Sequence, residues 1–160
     1  LVPRHPERFD RVAALSRRSG YRTIRRSEGK PCSSSVEVLV VDTMGELPVF
    51  YGCSDLALIG GSLVPHGGHN LLEPAALGRA VITGPHYFNF AEITRQFITH
   101  GAAVEVADQN ALAEKVIELL GDPQQRAVMG EAGLDLIARN QGASKRLINL
   151  INRHIQHVSA

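Results

Sequence analysis

The sequence predicts an α/β fold: a doubly wound, mostly parallel sheet of the Rossmann-like kind. Short apolar runs alternate with amphipathic segments along the chain, the pattern of strands joined by crossover helices. A glycine-rich stretch over residues 60–70 follows one apolar run and precedes an apolar, alanine-containing segment. Strand, glycine loop, helix is where open α/β sheets receive phosphate-bearing ligands. At 160 residues the chain fits one domain over residues 1–160, and a domain of that length buries roughly 68–70% of its unfolded surface.

Composition narrows the function. A formal charge of +1 and an aromatic content of 5% with no Trp leave little for phosphate-backbone attraction or base stacking, so nucleic acid is not expected as a partner. Cys32 and Cys53 stand alone, with no Cys-x-x-Cys pair, which points away from zinc sites and disulfide frameworks and toward a reducing compartment. No apolar run approaches the ~18 residues that span a bilayer and no signal peptide is visible, so the chain itself reads as soluble. Leu1-Val2-Pro3 reads as the end of a truncated strand, and the chain as a piece of a longer protein.

In chain order, Pro3 and Pro6 make a non-helical corner. A helix is expected over residues 7–18, with Phe9, Val12, Ala13 and Leu15 inward and Gly20 ending it. Residues 21–24 form a short strand. Arg17, Arg18, Arg22, Arg25, Arg26 and Lys30 make a basic cluster, either a solvated edge or a face for anionic lipid. Residues 27–35 read as loop. Residues 36–41 are a β-branched strand ending at Asp42, apolar enough to be covered on both faces. Thr43 and Glu46 match a capping box, which places Gly45 in the first turn of a helix running to about Tyr51. A glycine there costs up to ~1 kcal/mol against Ala, and close approach of an anion to the first amides is one reason to keep it.

Residues 56–59 are a further strand, and residues 71–77 a helix with Asn70 as N-cap and Glu73 three positions on. Residues 80–83 are a buried strand. After it, Gly84-Pro85-His86 turns the chain, and Tyr87, Phe88 and Phe90 surround Asn89, as core packing or as a platform at a ligand mouth. Helices over 91–100, 110–120, 123–140 and 143–158, and a strand over 103–106, continue the alternation.

Loops holding Arg4, Met44 to Glu46, and Asn70 to Glu73 all fall at the expected carboxyl edge of the sheet. The residues alone leave each open to a plainer reading: a solvated arginine and two helix caps. Together they suit a ligand carrying phosphate and paired hydroxyls, with Glu73 able to accept the latter. His66, His69 and Glu73 are possible metal ligands by type, but their spacing does not match the His-Glu-x-x-His helix, and no metal is expected. Gly61-Ser62-Leu63 does not supply the Gly-x-Ser-x-Gly turn of a nucleophilic serine, which disfavours a hydrolase.

The motifs Val2-Pro3-Arg4-His5-Pro6-Glu7-Arg8, Asp42-Thr43-Met44-Gly45-Glu46-Leu47, Gly60-Gly61-Ser62, Gly67-Gly68-His69-Asn70-Leu71-Leu72-Glu73-Pro74 and Gly84-Pro85-His86 with Phe88-Asn89-Phe90 closely resemble the carboxyl-terminal half of the Kdo (3-deoxy-D-manno-octulosonic acid) transferases. The resemblance runs almost end to end. It implies the donor-binding lobe of a two-lobed GT-B glycosyltransferase, which inverts the anomeric centre as it moves Kdo from CMP-Kdo to lipid A precursor (lipid IVA) in lipopolysaccharide biosynthesis. It implies CMP contacts at Pro3, Arg4, Met44, Gly45, Glu46, Asn70, Leu71, Leu72 and Glu73. It further implies no cofactor beyond the substrate CMP-Kdo, and a parent enzyme in peripheral contact with the cytoplasmic face of the bacterial inner membrane. The family's general base belongs to the amino-terminal lobe, so no catalytic residue is expected here and this piece alone should transfer nothing. Alternatives on the same fold are another GT-B transferase or an epimerase that uses UDP-sugars. A non-catalytic nucleotide-binding module is the alternative from another class.

Overall fold

The computed structural model describes residues 1–140; the helix expected over 143–158 lies outside the described residues. The chain divides into two compact units, Leu1–Val49 and a second beginning at Phe50.

In the first unit a 3-10 turn, Pro6–Arg8, leads into α1, Phe9–Arg18. Ala13 is buried as expected, but Leu15 is 56% exposed and Ser16 takes the inward place. The Ser16 hydroxyl lies 2.7 Å from Thr23 Oγ1, so a small polar contact rather than a leucine seats the helix on the strand. Strand β1 is Thr23–Arg25 and β2 is Val38–Val40. They pair in parallel, Ile24 opposite Leu39. On the other side of β2, Leu1 donates its N–H to the Leu39 carbonyl and accepts the Val41 amide, both at 2.8 Å, the bonding pattern of a parallel neighbour. Residues 1–3 do not themselves form a strand.

The sequence expectation fails at the end of β2. Helix α2 is Leu47–Gly52, and Gly45 lies outside it with φ +82°. That value belongs to the left-handed region, which glycine enters without strain. Gly45 therefore serves a turn and not a helix start. Thr43 and Glu46 bond to each other, hydroxyl to carboxylate, so this is a side-chain bridge across the turn in place of a capping box.

In the second unit β3, β4 and β5 are Leu56–Leu58, Ala80–Thr83 and Ala103–Glu105. They form a parallel sheet in the order β3-β4-β5. Helices α3, Leu72–Ala75, and α4, Ala91–Thr99, make the crossovers; α5, Gln109–Gly121, and α6, Pro123–Asn140, follow. Every residue of β4 is buried. Val81 packs with Leu71, Phe97 and Leu136 on one side, whereas Ala80 and Ile82 pack with Val106, Leu119 and Met129 on the other. Successive side chains point to opposite faces of a strand, so this split means that both faces of the sheet are covered at β4, as the apolar run Ala80, Val81, Ile82 requires. Asp108 caps α5, its Oδ1 accepting from Asn110 N at 2.8 Å and Ala111 N at 3.0 Å. No helix among the described residues is long and apolar enough to cross a membrane.

Candidate functional site

The chemistry-bearing loops lie just past strand ends. After β3 the chain folds through residues 60–70 with Gly61, Gly67 and Gly68 at positive φ. Gly67 has no room for a side chain, and Gly68 is closely packed. A Cβ on Gly67 would stand 2.3 Å from Asn89 Nδ2 and 2.6 Å from the Phe88 ring, and one on Gly68 3.3 Å from the His86 carbonyl. The 3-10 turn Phe88–Phe90 therefore seats directly on the glycine loop. Two bonds hold it there: Asn89 N to Gly67 O at 3.1 Å and Asn89 Nδ2 to His66 O at 3.2 Å. Phe88, by contrast, is 62% exposed, so it covers the loop backbone and does not fill a core, whereas Tyr87 and Phe90 are half-buried.

The base of the same loop is held by Ser62. Its hydroxyl donates to the Ile59 carbonyl at 2.6 Å and accepts the Gly84 amide at 2.8 Å, while its carbonyl accepts from His86 N at 2.9 Å. Sequence reasoning gave Ser62 no role beyond excluding it as a nucleophile. A serine between two strand ends, without a helix to cap, was the available signal.

At the loop's far end Asn70 Oδ1 accepts the Leu72 amide at 3.0 Å, and Asn70 Nδ2 donates to Glu73 Oε1 at 3.3 Å. The expected N-cap role of Asn70 is not met, because Leu71 is the N-cap, with no side-chain cap bond; Asn70 and Glu73 meet side chain to side chain instead. The helix itself is only Leu72–Ala75, shorter than the expected 71–77 because Gly78, at φ +65°, turns the chain. Leu71 is buried in the core and Leu72 is 37% exposed. Glu73 is exposed. Tyr51, half-buried, has its phenol pushed above its ordinary pKa, first by burial and then by the negative charge of Glu73. This nearness of Tyr51 to Glu73 was invisible in the sequence.

In the first unit Pro3 is half-buried and Arg4 is exposed, beyond the Leu1 contact with β2. The turn after β2 presents Met44, 71% exposed, and Gly45. Glu46 accepts Thr43 on one carboxylate oxygen and Arg26 Nη2 on the other, the latter at 2.9 Å. The Thr43 hydroxyl first, and Arg26 second, hold its carboxyl below the usual range. Much of the basic cluster is engaged in this way: Arg17 with Glu28, Arg22 with Glu37, Arg25 with Asp10 and Asp42, Lys30 with Glu28. Such pairing weakens the argument for a lipid-facing patch. Among the described residues no group of three or more His, Cys, Asp or Glu side chains could hold a metal ion.

Parallel strands covered on both faces, with glycine turns at their ends, fix the architecture, and a family model described as Glycosyl transferases group 1 matches residues 21–135. The chain belongs to the group 1 glycosyl transferases. Among relatives of this glycosyl transferase chain, the 3-deoxy-D-manno-octulosonic acid transferase of Haemophilus influenzae is 43% identical over 157 residues, which is 98% of this chain and 37% of the relative. The transferase of the same name from Bordetella pertussis is 40% identical over 153 residues, 94% of this chain and 36% of the relative. The chain thus spans little more than a third of the length of these curated relatives. A solved structure, the C-terminal CMP-Kdo binding domain of WaaA from Acinetobacter baumannii, superposes with a TM-score of 0.81 at 35% identity, covering 85% of this chain and 72% of that one. The likeness to the Kdo transferases, and to their carboxyl-terminal domain, is therefore shown, and with it the GT-B class of fold.

Proposed function

We propose that this chain is the donor-binding part of a Kdo transferase and binds CMP-Kdo. The observation that carries the reading is the likeness, in fold and at 35% identity, to the CMP-Kdo binding domain of WaaA. The donor contacts are Pro3, Arg4, Met44, Gly45, Glu46, Asn70, Leu71, Leu72 and Glu73. Arg4 supplies a cation for the single phosphate of CMP. The turn carrying Gly45, in which no Cβ obstructs the backbone, supplies main-chain donors. Glu73, exposed and steadied by Asn70, accepts the ribose hydroxyls; Leu71, buried, acts by seating that helix start and Leu72 by its exposed apolar surface. Hydrogen bonds to charged groups contribute about 1.5–3 kcal/mol each, so a few of them suffice for measurable binding.

The whole protein, in this reading, transfers Kdo to lipid A precursor at the cytoplasmic face of the bacterial inner membrane. The base that activates the acceptor hydroxyl lies in an amino-terminal lobe outside this chain. These residues serve the leaving-group side: they hold CMP in place as the bond to the sugar breaks and stabilise the phosphate charge that develops. No metal or cofactor takes part. Calorimetric titration with CMP, UMP and UDP tests the reading: CMP should bind and the uridine nucleotides should not. Preference for UDP would favour another sugar transferase or an epimerase, and no nucleotide binding at all would overturn the proposal.

A further inference from the structure

Residues 25–27, at the end of β1, reach both ends of the turn that follows β2. At its start Asp42, whose side chain is 1% exposed, accepts Arg25 Nε and Ser27 Oγ, each at 2.5 Å, and the Ser27 amide at 2.8 Å. Arg25 is tied again to Asp10, 2.6 Å from Nη1. Arg26, lying between two residues that Asp42 holds, extends to the far end of the turn and donates to Glu46 at 2.9 Å. Thr43 takes the other Glu46 oxygen. The turn that carries Gly45 is thus clipped at both ends by one short segment, and the acidic side chain nearest its tip is neutralised.

We propose that Arg26 is a positioning residue for a nucleoside monophosphate: by fixing and neutralising Glu46, it lets the turn 43–46 present its backbone to a phosphate without an uncompensated carboxylate alongside. This rests on the CMP-binding reading above. Like charges brought close together near a protein surface repel far more than in bulk water, so removing Arg26 opposes the phosphate and spares the nucleoside. The Arg26 contact is a single N–H to one oxygen, not the two-pronged geometry that only arginine supplies. Lysine should replace it.

The test is an NMR titration of the chain and of R26A, R26Q and R26K with CMP and, separately, with cytidine, alongside hydrogen exchange over residues 42–47. R26A and R26Q should weaken CMP about tenfold or more, change cytidine less than threefold, and speed exchange over 42–47 while leaving 80–83 as in the parent. R26K should stay within threefold of the parent for both ligands. A parent chain that binds no CMP overturns the binding reading and this role with it. CMP binding that survives R26A, falls equally for CMP and cytidine, or is not rescued by R26K overturns the role of Arg26 alone.

Discussion

Ser62 accepts the Gly84 amide at 2.8 Å through a hydroxyl on a fully buried side chain. The bond joins the chain just past β3 to the chain just past β4. A Cβ on Gly84 would lie 2.3 Å from the Ser62 carbonyl oxygen, so backbone fits against backbone here. Ser62→Ala should leave that buried amide, and the Ile59 carbonyl, without their partner. A buried group left unsatisfied costs about 1–3 kcal/mol, and for a chain of this size each kcal/mol lowers Tm by about 2–4 °C. Calorimetry that shows an unchanged Tm would remove Ser62 from this role.

Asp42 sets an acid limit on the first unit. Burial alone would raise its pKa, but bonds from the Ser27 hydroxyl and amide and from Arg25 outweigh that and bring it down from 3.8 to about 2. With a folded pKa below the unfolded one, the contribution is fully present above about pH 3.8 and is lost as pH falls toward 2. Asp42→Ala should lower stability at pH 7 by about 3 kcal/mol, the low end for breaking a buried pair, because Arg25 keeps Asp10 as a second partner. It should also flatten the fall in stability between pH 4 and 2. Urea titrations of the two proteins across that range measure both effects.

The parts of this fold legible in the sequence were those set by repeating patterns. The apolar run Ala80, Val81, Ile82 of β4 and the apolar spacing of α6 made the covered sheet and its packing partner legible, because burial on both faces favours apolar residues. What was not legible depended on neighbours remote in sequence. Thr43 and Glu46 have the spacing of a capping box, yet Gly45 between them takes a left-handed conformation, and the pair closes a turn instead. Arg25 and Arg26 looked like a charged edge until Asp42 and Glu46 came opposite them. A buried aspartate at a strand end requires a cation somewhere, and the nearby basic run could have supplied that inference. At the candidate site, local spacing brought out Asn70 and Glu73 as partners, but as an N-cap pair, whereas they meet side chain to side chain with Leu71 as the N-cap. The approach of Tyr51 to Glu73 was not, since it depends on tertiary placement.

Asn70 and Glu73 should separate by readout. Asn70→Ala removes the acceptor of the Leu72 amide, a cap-like loss of about 0.5–2 kcal/mol, and frees Glu73, so stability and CMP affinity should fall together. Glu73→Ala removes an exposed side chain, so Tm should hold while CMP affinity drops roughly tenfold or more, the equivalent of losing one charged hydrogen bond. Thermal melts and calorimetric titration of the pair decide; unchanged CMP affinity in Glu73→Ala would defeat the ribose assignment.

Two glycines of α6 make a matched pair in which propensity and packing compete. Alanine is favoured over glycine in a helix interior by about 0.8–1.0 kcal/mol. At Gly133 a new Cβ would meet the Ala75 Cβ at 3.4 Å, an ordinary contact, so propensity should prevail and Gly133→Ala should be neutral or raise Tm slightly. At Gly130 the Cβ would stand 2.1 Å from the Gly78 carbonyl oxygen and 2.8 Å from its carbon. That neighbour is backbone and cannot swing aside as a side chain would, and forcing extra atoms into a packed contact costs typically 1–3 kcal/mol. Packing should therefore win at Gly130, and Gly130→Ala should lower Tm by several degrees. Melting curves of the two variants side by side test the argument, and a Gly130→Ala protein as stable as Gly133→Ala would mean that α6 does not rest on the chain at Gly78.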